Sequence, residues 1–430
     1  MNQLLLVAIV AVAIVWSVIM FIAIIRAQKR GTDLVPVTIL WLVGAMALLP
    51  AAIDPDFHRG VSAAPQELVV RLNRSLSLVL FFVSVSAILT RRRLGFANPM
   101  FLLLATLWLV AGIASVLNGS TDILPIAVLI TAVVAVGFHA VHTSRVIFHS
   151  RVILRLYILA SLAASIIAPD NAWLDDGWRT LAGIPQFIGI ASHPNAVGAL
   201  AALSLVLECY RGVTTKFQWL FWPLAAIVVV LAQSRTGWVI ALIGLACLVA
   251  VSRRTGRLRG WTVWAGAVAF SASAIFLFTA ELSDVNDLTT GRLNDWIAML
   301  TLVPETWLYG GGQQVLANAL GSGDLVGVGP WGAQAHNQVI QTLLDSGVFG
   351  VLVLVVLLTA MIKQAFQDRG SVLPLRLAAL AMLLLTTLVE TPLRPTLGQT
   401  SIALVIYVLL LSAPSASRRL DPAGSGVKLA

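Results

Sequence analysis

His336 and two arginines, Arg235 and Arg292, are the residues of this chain best suited by type and setting to act on an anionic substrate. Arg235 lies in Ser234-Arg235-Thr236-Gly237, a tight polar turn between two apolar runs. A planar guanidinium engages phosphate through two parallel hydrogen bonds, which an ammonium does not reproduce. The plainer account of the same residue is an interfacial anchor whose long side chain reaches water. Arg292 follows Gly291 and opens Leu293-Asn294-Asp295-Trp296. Its side chain and the free N–H groups of a helix end can face one anion there; the alternative is a local pair with Asp295, three residues on. His336-Asn337 immediately precedes the run that begins Gln338-Val339-Ile340-Gln341. A helix N-terminus favours neutral imidazole, able to take a proton from a hydroxyl, although a nearby phosphate acts in the opposite sense. A polar histidine beside a helix cap is the alternative.

Other polar groups recur at comparable places. Ser192-His193-Pro194-Asn195, with Gly198, opens another apolar run and reads either as part of a site or as a Pro-initiated helix start capped by asparagine. Arg71 and Arg74 share one helix face, and Glu390 stands four residues before Arg394 between Pro392 and Pro395. Charges of this kind mark a pathway or site when they face a bundle interior, and are structural ion pairs otherwise. Gly310 to Gly312 suits either close approach to a bulky ligand or a flexible turn. Asp54-Pro55-Asp56 and Asp175-Asp176 have spacing compatible with a divalent metal, but no further ligands accompany them, and hydrated loop acids are expected. Walker, dinucleotide and zinc signatures are absent from the sequence, so neither a metal nor a cofactor is expected.

The elements that must position these groups are membrane spans. Of the 430 residues 59% are hydrophobic and 11% charged, against roughly 25% charged in soluble domains. Apolar runs near the ~20 residues needed to cross a bilayer recur at 3–25, 34–52, 68–90, 99–117, 123–141, 151–168, 195–210, 218–233, 237–252, 261–280, 338–362, 372–390 and 398–413. The first, followed by Arg26, Lys29 and Arg30, reads as a retained anchor with its N-terminus outside. Alternating from there, all but seven of the 28 Lys and Arg fall inside; the exceptions are Arg59, Arg71, Arg74, Arg179, Arg235, Arg292 and Arg394. All but four of the 19 acidic residues, Asp33, Glu208, Asp368 and Asp421, fall outside. This is the positive-inside pattern, so the net charge of +9 does not indicate nucleic acid, and membrane lipids are the surroundings. Cys209 and Cys247 are isolated in apolar runs and read as packing residues.

The expected architecture is therefore an all-α integral membrane protein, a polytopic bundle of about 12–13 transmembrane helices, with a large external loop, 281–336, between late helices. Within that loop Leu293, Trp296, Ile297 and Leu300 predict an amphipathic helix from Arg292 to Val303, ended by Pro304. Residues 1–190 are expected to form N-terminal helices, 191–413 a second group of helices that includes the external loop 281–336, and 414–430 a cytoplasmic tail.

The order Ser192-His193-Pro194-Asn195, Ser234-Arg235-Thr236-Gly237, Gly291-Arg292 to Trp296, the glycine run, and Ala335-His336-Asn337 ahead of Gly347 and Gly350 resembles the O-antigen ligase and O-antigen polymerase superfamily of bacterial membrane glycosyltransferases. The likeness spans roughly residues 185 to 362. It implies a GT-C-like bundle around an external cavity in the cytoplasmic (inner) membrane. The implied reaction is metal-independent, inverting transfer of a glycan from a polyprenyl-pyrophosphate carrier to a hydroxyl on a glycan, lipid or protein. It also implies that Arg235 and Arg292 bind the donor pyrophosphate and that His336 acts on the acceptor hydroxyl; His193, Asn195 and Asn337, together with Arg71, Arg74 and Arg394 from outside the likeness, are supporting candidates. A lipid-linked donor agrees with the absence of a nucleotide-sugar pool outside the membrane. Three rivals stand beside this: a transporter or flippase of lipid-linked glycans, which calls for charge in both leaflets and internal symmetry, a metal-dependent lipid-donor glycosyltransferase using Asp54 and Asp56, and a purely structural membrane protein, against which the polar motifs of the loop count.

Overall fold

Hydrocarbon offers no partner to backbone N–H and C=O groups, so an apolar segment crossing it must satisfy them within itself, and an α-helix does so. The computed structural model describes residues 34–53, 67–90, 98–120, 123–139, 142–174, 183–191, 193–210, 216–254, 292–303, 307–325, 334–367, 372–396 and 399–413. The expected spans 3–25 and 261–280, the four paired aspartates, Ser192, all of 281–291 including Gly291, Pro304 and the tail after 413 lie outside these.

Each expected span within the described residues is a helix: α1 Val35–Ile53, α2 Glu67–Leu89, α3 Pro99–Leu117, α4 Leu124–Gly137, α5 Thr143–Ile167, α7 Pro194–Cys209, α8 Gln218–Leu231, α9 Arg235–Arg254, α12 Gln338–Gln367, α13 Leu373–Val389 and α14 Gln399–Ser412. Between them lie the short helices α6 Pro169–Ala172, α10 Arg292–Leu300 and α11 Val315–Ser322. One two-stranded antiparallel pairing, β1 Trp173–Leu174 with β2 Gln186–Phe187, precedes α7. Four of the helices are long and apolar enough to cross a membrane, and seven more are shorter and apolar. The chain is an all-α polytopic membrane protein.

The largest boundary difference from expectation is at the start of α5. Helix α5 begins at Thr143 rather than 151, because Arg145, His149, Arg151 and Arg155 interrupt its hydropathy while α7 accommodates two of them. Fully buried Arg151 donates from Nε to Leu207 O at 3.0 Å, and Arg155 grips both oxygens of Glu208 at 2.7 and 2.8 Å. The charges are thus spent on the end of a neighbouring helix rather than on lipid.

Helix α7 is the centre of the bundle, buried along nearly its whole length and packed by α5, α8, α9, α13 and α14. It meets α9 backbone to backbone: a Cβ on Gly237 would lie 2.9 Å from Gly198 C and Cα. Small residues at such a crossing let two membrane helices close on each other, and here the contact brings the starts of α7 and α9 side by side.

Helix α12 inverts the usual pattern. Gln338, Gln341, Thr342, Asp345 and Ser346, spaced at helical periodicity, are buried, while Val339, Phe349, Leu352, Val355 and Val356 are exposed. The ladder breaks at Gly347 (φ 62°, ψ −163°). The loop 307–312 satisfies the freed groups: Val348 N–H donates to Trp307 O at 2.9 Å, Gly311 N–H to Leu344 O at 2.7 Å and Gly312 N–H to Asp345 O at 3.1 Å. A Cβ on Gly310 would fall 2.3 Å from Ser346 N. The glycine run therefore admits close approach to the backbone of α12, a contact within the protein that neither of its two sequence readings named.

In α10 the expected apolar stripe is divided. Met299 is buried against Leu316, Ala335 and Leu344, and Trp296 Nε1–H donates to Ala335 O at 2.6 Å. Leu293, Ile297 and Leu300 are exposed instead. The loop helix is pinned by its polar and Trp296–Met299 side, leaving an apolar side outward, as suits a helix bordering lipid.

Candidate functional site

The site is built around a carboxylate, Glu390. Helix α13 ends at Val389, and Glu390 is extended (φ −149°, ψ 179°). The expected four-residue spacing with Arg394 therefore has no helix to act through, and the two charges separate. Asn195 Nδ2 donates to Glu390 Oε1 at 2.7 Å and Arg292 Nη2 to the same oxygen at 3.1 Å. His336 Nδ1 stands 2.9 Å from Oε2. Arg292 Nη1 also donates to Val389 O at 2.6 Å, one of the orphan carbonyls at the end of α13. Arg292 thus bridges the loop helix to α13, and the local pair with Asp295 does not form its anchorage.

Burial at this position pushes the Glu390 carboxyl up, but the hydrogen bond and charge of His336, then the charges of Arg292 and His193, outweigh it and hold the group at about 2. Glu390 is accordingly an anion at neutral pH.

His336 has φ 47°, a left-handed conformation that costs a side-chain-bearing residue of order 1–3 kcal/mol. Both neighbours hold it there. Ala335 N–H donates to Gln341 Oε1 at 2.8 Å. Asn337 caps α12 by accepting from Val339 and Ile340 N–H at 3.0 and 3.1 Å, while its Nδ2 donates to Leu388 O at 3.0 Å. With Nδ1 facing a carboxylate, the tautomer with Nδ1–H donating to Glu390 is favoured, which leaves Nε2 as a lone-pair acceptor. That is the arrangement of an oriented general base.

Asn195 reaches Glu390 from the start of α7, and it is held in turn: Ser234 Oγ–H donates to Asn195 Oδ1 at 2.8 Å, and Ser234 Oγ accepts Gly237 N–H at 3.0 Å. The helix cap of α7 is His193, whose Nδ1 accepts Asn195 N–H at 3.1 Å. The expectation of an asparagine cap is thus corrected, and the asparagine side chain is free to turn to the cluster. Arg235 opens α9 directly after Ser234 and is half-buried at this same end.

The structure joins Arg292, His336, Asn195, Asn337 and His193 in one neighbourhood, with Arg235 one residue from it. Arg394 belongs to an adjoining network: its Nε lies 3.4 Å from Asp345 Oδ2, and its Nη2 donates to Gln313 O at 2.6 Å. Arg71 and Arg74 ride on α2, whose principal neighbours are α1 and α4, and neither is among the groups that act on Glu390. Arg74 is exposed. Sequence reasoning read Glu390 together with Arg394, as a site or as a structural ion pair, without its partners Asn195, Arg292 and His336, and did not single out Asp345. The available signals were an acid at the end of an apolar run and a polar stripe on one face of α12. Among the described residues no group of three or more His, Cys, Asp or Glu has metal-binding proximity.

Helices α7, α9 and α12 start, and α13 ends, at this cluster, as antiparallel spans of one bundle must if the site occupies a single end. The fold and site define a polytopic membrane protein that presents a histidine–carboxylate pair and arginines at one end, under a loop helix. Residues 220–355, which carry Arg235, Arg292 and His336, match the family model described as O-Antigen ligase (Wzy_C), and this supports placing the chain in the O-antigen ligase superfamily. The match supports a membrane glycosyltransferase-like role in surface polysaccharide synthesis. No curated protein matches the chain.

Proposed function

We propose that the protein transfers a glycan from a polyprenyl-pyrophosphate carrier to an acceptor hydroxyl at the external face of the cytoplasmic membrane, as an O-antigen ligase or polymerase. The observation that carries this reading is the His336 imidazole, fixed at Nδ1 by a carboxylate whose other oxygen holds Arg292. His336 Nε2 takes the proton of the acceptor hydroxyl as its oxygen bonds to the anomeric carbon. The bond from that carbon to the pyrophosphate oxygen breaks, its electron pair leaves with the pyrophosphate, and the configuration inverts. Arg235 and Arg292 neutralise the charge developing on the leaving group, an electrostatic contribution of several kcal/mol in a site closed to water. Because Arg292 also serves Glu390, the pyrophosphate shares its guanidinium, so donor binding and His336 orientation are linked through one side chain. The catalytic region is 191–413, and no metal enters these steps. Chelation that abolishes transfer, restored by magnesium or manganese, would instead favour the alternative built on Asp54 and Asp56.

The deciding experiment is the profile of carrier-linked glycans in cells lacking the protein, complemented with wild type or with His336→Ala. Accumulated single repeat units identify a polymerase, and accumulated long carrier-linked chains a ligase. Units trapped on the inner leaflet, beyond reach of an impermeant glycosidase, identify a flippase. A profile that never changes removes the glycosyltransferase reading altogether.

Arg235→Lys is expected to reduce transfer ~10- to 100-fold, the scale of one lost charge-assisted hydrogen bond, because an ammonium cannot supply the fork. The loss should appear chiefly in donor KM, measured with membranes carrying equal amounts of each protein; undiminished transfer would make Arg235 an interfacial anchor.

A further inference from the structure

Asp345 is buried on α12, one turn beyond Gln341 and just before the break at Gly347. It stands at the carbonyl end of a half-helix, where the helix dipole opposes a negative charge. A carboxylate in so unfavourable a place requires strong partners, and it has two arms of them. On one side Gln341 Nε2 donates to Asp345 Oδ1 at 2.8 Å while Gln341 Oε1 accepts the N–H of Ala335, the residue before His336, at 2.8 Å. On the other side Asp345 Oδ2 pairs with Arg394 Nε at 3.4 Å. Arg394 N–H in turn donates to Thr391 O at 3.2 Å, closing a tight turn directly after Glu390. A parallel strut runs beside this arm, Leu393 N–H to Gln338 Oε1 at 2.8 Å. The Asp345 carbonyl also accepts Gly312 N–H, and Arg394 reaches Gln313 O, so the loop at 310–313 is fastened to the same pair.

We propose that Asp345 is a positioning residue that sets the His336–Glu390 geometry: one buried carboxylate is tied through Gln341 to the backbone that carries His336 and through Arg394 to the turn that carries Glu390. This rests on the reading of His336 as the base, and it assigns Arg394 to the frame of the site instead of to the donor pyrophosphate. Asp345 touches no reacting atom. It acts by holding the two members of the dyad to one common point across the gap between α12 and the end of α13.

The test uses the full-length protein carrying Asp345→Asn, Arg394→Gln, or both. Asp345→Asn keeps the size of the side chain but leaves the Arg394 charge without its counter-ion. In the double variant an amide faces an amide, since a glutamine side chain ends close to where Arg394 Nε lies. Two readouts are taken: glycan transfer in complemented cells and membranes, and the rate at which diethyl pyrocarbonate modifies His336, followed by mass spectrometry on the detergent-solubilised protein. Asp345→Asn should lower kcat by ~10²-fold, the scale of a small misplacement of a catalytic group, with donor KM unchanged, and should speed modification of His336. The double variant should bring both back towards wild type. Wild-type transfer and modification in Asp345→Asn would overturn the proposal. So would a folded double variant that transfers no better than Arg394→Gln alone, which would place Arg394 on the substrate. If His336→Ala itself transfers normally, the proposed chemistry falls, yet the modification rates still decide whether Asp345 orients His336.

Discussion

His336→Ala is expected to lower glycan transfer by roughly 10²- to 10⁴-fold, the usual contribution of a positioned general base, while the protein still inserts and packs. The second half of that expectation follows from how the segment is held. The anchors around His336 belong to its neighbours: Ala335 N–H on Gln341, Ala335 O on Trp296, and Asn337 capping α12 and reaching Leu388 O. Removing the imidazole deletes one contact, that with Glu390 Oε2 at 2.9 Å, and leaves Glu390 paired with Arg292 and Asn195. The loss should therefore appear in kcat, with donor KM little changed, when transfer is measured in membranes with matched protein levels. Near-full activity of this variant would remove the base from the scheme.

Glu390→Gln should cost nearly as much, ~10²- to 10⁴-fold, the scale on which an orienting carboxylate behind a catalytic histidine matters. An amide can present its NH₂ to His336 Nδ1, which forces the proton onto Nε2 and removes the lone pair that the reaction requires. The same change takes the anion from Arg292, whose Nη2 lies 3.1 Å from the carboxylate, so the loop helix loses its charge partner at the end of α13. Both effects separate from simple unfolding. A stable, monodisperse protein with depressed kcat supports the assignment, whereas wild-type turnover would reduce Glu390 to a capping residue.

The order of the described spans, and the gathering of Asn195, Arg292 and His336 at one end of the bundle, were legible in the sequence. Hydropathy alone forces a helix wherever an apolar run must satisfy its own backbone in hydrocarbon, and every described span obeyed this, with α5 mis-started only because α7 absorbs Arg151 and Arg155. Arg292 and His336 were legible too, since polar residues beside membrane spans are costly unless they have partners.

The identity of those partners belongs to the tertiary structure. By local spacing Glu390 should pair with Arg394 and Arg292 with Asp295, yet α13 stops at Val389, and Glu390 instead collects Asn195, Arg292 and His336 from segments up to 195 residues distant in the chain. Spacing rules describe neighbours on one continuous helix. They carry no information across a helix end, where the direction of the chain and the packing of separate helices decide which charges meet. The close crossing at Gly198 and Gly237, which sets Asn195 beside Ser234, and the break in α12 at Gly347 are facts of the same kind. The sequence by itself determined the spans and the residue types that face one end of the bundle; three-dimensional packing alone determined that Glu390 is the point on which they converge.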